Sequence, residues 1–124
     1  MDIVYNKDHL NLETLIRFSK DDDARMHKYL VQFQELIPER IINLKECMQL
    51  GDRKKIRQVL HQISPQLQFF GVPEVVGPIK KLELEYETIP EEELKEMVAL
   101  ILTRLGNALG EIEHILNEYF KDMH

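Results

Sequence analysis

From Leu94 onward the apolar residues return in alternating steps of four and three: Leu94, Val98, Ile101, Leu105, Ala108, Ile112, Ile115 and Tyr119. An α-helix brings residues at that spacing onto one face, and a face this long must be covered along its length. Such a seam packs against helices lying nearly parallel or antiparallel to it. Met26, Leu30, Phe33, Ile37, Ile41, Leu44 and Met48 form a second stripe, and Ile56, Val59, Leu60, Ile63, Leu67 and Phe70 a third. No stretch keeps a period of two, so the chain reads as all-α.

The boundaries follow from capping residues. Asn11 suits the N-cap of a short first helix over Leu12 to Phe18. Asp21 to Asp23 open a second helix, where carboxylates meet the positive end of the helix dipole, and Gly51 stops it. Pro38 falls inside and should bend that helix or mark a break. Asp52 caps the third helix and Gly71 ends it. Pro73 sits well for the first turn of a fourth helix reaching about Glu87. Pro90 and Glu91 to Glu93 open the last. Short connections between long helices imply antiparallel neighbours, hence an up-and-down four-helix bundle with a short additional N-terminal helix. No repeat or linker divides residues 1–124, which read as a single domain.

Composition narrows the function. The net charge of −6 and pI near 5.4 argue against general nucleic-acid binding, which needs a basic surface. The lone Cys47 has no intrachain disulfide partner, which points to a reducing compartment. The start, MDIVYNKDHL, has no apolar run after a basic opening, so no secretory leader is expected. The longest apolar run, Met97 to Leu102, is far too short to cross a bilayer. The expectation is a soluble, cytoplasmic monomer that engages neither membrane nor nucleic acid.

Few side chains suggest chemistry. Glu111 and His114 make a Glu-x-x-His pair, but carboxylate-bridged di-metal bundles need a second such pair and further inward glutamates. The sequence has no second pair, so no metal is expected and Glu111 reads as part of a solvated face. His9 and His124 lie near the termini, and nothing around His27 suggests more than a surface position. Ser19 and Ser64 are the only serines, and neither lies in a nucleophile elbow. Cys47 reads as a small buried residue. No glycine-rich phosphate loop occurs. His61 stands apart. It lies midway along the third helix, off the centre of the apolar stripe, with Arg57, Ser64 and Gln68 one or two turns away. The basic run Arg53, Lys54, Lys55, Arg57 precedes it in an otherwise acidic chain.

Around His61 the chain resembles the histidine-containing phosphotransfer (HPt) domain family. The resemblance rests on Leu60-His61-Gln62-Ile63, then Gly71-Val72, then Leu82-Glu83. Phe33, Leu36-Ile37-Pro38, Leu44 and Gly51-Asp52 are similar to the family's upstream hairpin. Leu12, Leu15 and Asp21 to Asp23 are similar to its opening. The match covers about residues 10 to 87.

The resemblance implies a phosphocarrier of a multistep two-component phosphorelay, not an enzyme, with His61 as phosphoacceptor. The phosphoryl group would come from, and return to, receiver-domain aspartates. It implies response-regulator receiver domains and a hybrid histidine kinase as partners. No cofactor is implied for this chain, because the receiver brings its own Mg²⁺. Gly71, Leu82 and Glu83 are the structural part of the signature.

Two departures stand beside the histidine. The family commonly has lysine three residues on and a small residue four on; here these are Ser64 and Pro65. Arg57 and Lys54 are expected to take over part of the lysine's hold on the phosphoryl group, with Ser64 offering a hydroxyl. Pro65 costs the helix about 3 kcal/mol unless it bends, so a kink is expected there. Docking is expected on the face holding His61, Ser64, Pro65 and Gln68, with parts of the first two helices. The alternative is a degenerate, non-phosphorylated HPt-like adaptor that keeps the shape without the relay.

Overall fold

The computed structural model describes residues 9–120, and among them every regular element is a helix, with no strand. Five helices follow in order: α1 (Glu13–Ser19), α2 (Asp23–Leu50), α3 (Arg53–Phe69), α4 (Val76–Glu85) and α5 (Glu91–Tyr119). The stretch read for a leader, residues 1–8, and the terminal His124 lie outside the described residues.

Most boundaries sit at the residues whose chemistry calls for them. Asn11 Oδ1 accepts the Glu13 N–H at 3.0 Å, so α1 begins one residue later than expected and Leu12 takes the cap position. Asp22 Oδ1 accepts from the Ala24 and Arg25 N–H groups, and Asp52 Oδ1 from Lys55 N–H. Gly51 closes α2 in the left-handed region (φ +66°), where glycine carries no Cβ penalty.

The prolines behave differently from one another. α2 runs its 28 residues through Pro38 without a break. α3 likewise continues through Pro65 to Phe69, so that proline deprives the His61 carbonyl of its usual donor without ending the helix. The expected start of α4 at Pro73 is corrected to Val76, and its end from Glu87 to Glu85. Glu74 holds φ +65°, which no helix over 73–75 tolerates, and its carboxylate pairs with Arg104 of α5. Val72 and Val75 are buried on either side, so the segment is anchored as a loop.

Gly71 explains how the N-terminal segment joins the rest. Its carbonyl accepts the Asn11 N–H at 3.0 Å. A Cβ built on Gly71 would lie 2.2 Å from the Asn11 carbonyl oxygen, and its φ is +64°. Space and backbone both demand glycine there.

α2 lies at the centre, against α1, α3 and α5, while α4 packs on α3 and α5. The α5 seam is buried from Leu94 to Ile115, joined by Leu116, with Tyr119 half-buried. In α2 the burial at the C-terminal end falls on Cys47, and Ile41 and Met48 are only partly covered. All six apolar residues of the α3 stripe are buried, with Leu60 and Ile63 fully so. α3 is therefore held rigidly by one face, leaving its flank to carry the site. No helix among the described residues is long and apolar enough to cross a membrane.

Candidate functional site

Arg53, Arg57 and His61 recur every four residues, which places them on one row of α3. That row faces the C-terminal half of α4. Arg53 Nη1 donates to the Tyr86 carbonyl at 3.1 Å and also to the Ile89 carbonyl. Arg57 Nε donates to the Glu83 carbonyl at 3.2 Å, with its guanidinium carbon 5.5 Å from the centre of the Tyr86 ring. His61 Nδ1 lies 3.1 Å from Glu83 Oε1.

The imidazole is 75% exposed, although its neighbour Leu60 is fully buried. Glu83 is 25% exposed, and an ionised carboxylate only accepts hydrogen bonds. Nδ1 is therefore the protonated nitrogen in the neutral ring, and the Nε2 lone pair is free. Among the described residues Nε2 has no hydrogen-bond partner.

The remaining candidates fall on both sides of this row. Lys54 is exposed and makes no hydrogen bond or ion pair among the described residues. Arg57, read as a phosphoryl partner, spends its Nε and its flat face on α4 instead. Ser64 Oγ accepts from Gln68 Nε2 at 3.1 Å, so these two are coupled one turn beyond His61. The Ser64 O–H remains available as a donor. Pro65 is exposed and forms one wall of an open groove of about 310 Å³, shared with Tyr29, Leu36 and Phe69. Phe69 is fixed by edge and tilted contacts to Tyr29 and Phe18, at 5.4 and 5.6 Å between ring centres. Phe18 stays 57% exposed, so an apolar rim lies along the helix that bears His61.

Two readings of the sequence need correcting. Glu111 is half-buried, and its Oε2 accepts the His9 N–H at 3.0 Å, so it fastens the N-terminal segment to α5 and does not sit on a solvated face. His27 is half-buried, its ring 5.5 Å from that of Phe120, and is no plain surface residue.

No group of three or more His, Cys, Asp or Glu side chains fit to hold a metal occurs among the described residues. Cys47 is 7% exposed, and burial pushes its thiol above the ordinary value despite nearby Lys55. That is the wrong direction for a nucleophile.

Glu83 is the residue of the candidate site whose contact with His61 the sequence hid. It was legible as half of the Leu82-Glu83 pair, yet its contact with His61 spans 22 positions and depends on how α4 packs. No family model, curated protein or solved structure matches this chain. The site must be interpreted from its own geometry.

Proposed function

We propose that this protein is a histidine phosphocarrier of a multistep phosphorelay, with His61 as the acceptor. One observation carries the reading: an exposed imidazole on a rigid helix, its Nδ1 held by a carboxylate from the next helix and its Nε2 unpartnered. A neutral imidazole carries its proton on one ring nitrogen and a lone pair on the other.

In the proposed step Nε2 attacks the phosphorus of an aspartyl phosphate on a receiver domain. The N–P bond forms, the P–O bond to the aspartate breaks, and the carboxylate leaves with the electron pair. The proton stays on Nδ1, which donates to Glu83, and that carboxylate offsets the positive charge developing on the ring. The reverse step returns the group to a second receiver. Mg²⁺ belongs to the receiver and needs no site on this chain. Ser64 O–H and Lys54 are the groups we assign to the transferred phosphoryl, and the Pro65–Phe69 rim to docking.

In this reading α2 to α5 form the up-and-down four-helix bundle and α1 is the short additional helix. The protein would work as a cytoplasmic monomer between a hybrid histidine kinase and response-regulator receivers. The adaptor alternative draws on a specific feature: no lysine lies within one turn of His61 on α3, and Arg57 is turned to α4.

The test is direct. Purified protein is mixed with a receiver domain charged by a small phosphodonor, and acid-labile, base-stable phosphate is measured on this chain. Phosphate on wild type and none on His61→Gln supports the carrier. No transfer from several receivers supports the adaptor.

A further inference from the structure

Helix α4 ends without a basic residue in its last turn. The final four carbonyls of a helix lack intrahelical donors, and the negative end of its dipole favours a cation. In this protein α3 supplies both. Arg57 Nε–H meets the Glu83 carbonyl, and Arg53 meets the carbonyls of Tyr86 and Ile89 just beyond. The guanidinium of Arg57 also lies over the Tyr86 ring, which fixes its plane.

Glu83 is thus held at two points. Its main chain is fastened by Arg57, and its carboxylate meets His61 one turn further along the same row of α3. A carboxylate a quarter exposed has rotamers to choose among, so the position of its backbone decides whether Oε1 stands at hydrogen-bond distance from the ring.

We infer that Arg57 is a positioning residue that acts on His61 through Glu83, setting which ring nitrogen carries the proton. Its importance for phosphotransfer rests on the phosphocarrier reading, but its effect on the ring does not. This assignment differs from a direct contact between Arg57 and a phosphoryl group, because it operates in the unphosphorylated protein.

The experiment reads the ring itself. The ¹⁵N shifts of His61 are recorded at alkaline pH, where the imidazole is neutral, for wild type, Glu83→Ala, Arg57→Met, Arg57→Lys and the Glu83→Ala/Arg57→Met double variant. Circular dichroism confirms folding of each. We expect Glu83→Ala to move the population from the Nδ1–H to the Nε2–H form. Arg57→Met should shift the tautomer ratio the same way, by about two- to fivefold, as for a solvent-exposed contact. Arg57→Lys keeps the charge but loses the flat, forked donor, so it should shift the ratio too. The double variant should match Glu83→Ala alone.

Wild-type ring shifts in both Arg57 variants would overturn the inference, as would additive effects in the double variant. Should the tautomer respond while no receiver phosphorylates His61, the positioning role stands and the phosphocarrier reading falls. Should phosphorylation occur while the Arg57 variants keep the wild-type tautomer, only the positioning role falls.

Discussion

His61 and Glu83 lie 22 positions apart, and the 3.1 Å contact between Nδ1 and Oε1 joins the flank of α3 to the last turn of α4. The contact gives a solvent-exposed imidazole a defined orientation without burying it. Leu60, adjacent in sequence, points the other way into the core and has no exposed surface. Core packing and the exposed candidate site therefore fall to neighbouring residues.

That separation is measurable. Leu60→Ala should cost about 2–5 kcal/mol, as for other large-to-small core truncations. His61→Gln should change stability by no more than about 0.5 kcal/mol, the usual range for surface substitutions. Urea unfolding followed by circular dichroism compares the two. A His61→Gln protein as unstable as Leu60→Ala would mean that the imidazole is part of the core.

Gly71→Ala offers a second stability test at a different point of the fold. The substitution puts a Cβ against the Asn11 carbonyl and strains a backbone at φ +64°. The backbone strain alone should cost about 1–3 kcal/mol. Amide exchange should show faster exchange at the Asn11 N–H, whose bond to the Gly71 carbonyl is lost. Unchanged protection there would show that the N-terminal segment does not depend on this link.

Much of the fold was legible because local chemistry and long-range packing agree. The α5 seam, the Asp22 and Asp52 caps and the Gly51 stop all name their own positions. α4 was legible only in part, since the proline signal at Pro73 is overridden by Glu74, whose left-handed backbone no residue pattern announces. The candidate site divides in the same way. His61 stands out by its place beside the apolar stripe. The duties of Glu83 and Arg57 come from the packing of α4 on α3, which spacing within one helix does not encode. Arg57 looked like a phosphoryl ligand because it lies one turn from His61, yet carbonyls and an aromatic ring on α4 compete for the same guanidinium.

Lys54 and Ser64 bear on the phosphorylated state. Lys54→Ala should weaken the phospho-form by about 0.2–1 kcal/mol, an effect that shrinks as salt rises. Ser64→Lys should raise the steady-state level of phospho-His61 by restoring a cation one turn from the ring. Phosphate levels measured at low and high ionic strength check both. A Lys54→Ala effect of equal size in each buffer would rule out a charge contact.

The apolar rim should govern docking more than chemistry. Phe18→Ser removes an exposed ring without opening the core, and Pro65→Gly restores a small residue beside the groove. The first should weaken receiver binding and the second should ease it, with the reactivity of His61 toward a small phosphodonor unchanged. Calorimetry with a receiver domain measures the binding, and an amide-exchange footprint locates it. Protection confined to α5 would place the docking face elsewhere.

The most direct measurement is the mass and stability of the phosphorylated chain after incubation with an activated receiver. The phosphocarrier account predicts one added phosphoryl group that is lost in acid, persists in base, maps to the peptide carrying His61 and is absent from His61→Gln. A phosphate that survives acid, maps to another residue or appears equally on His61→Gln would contradict it.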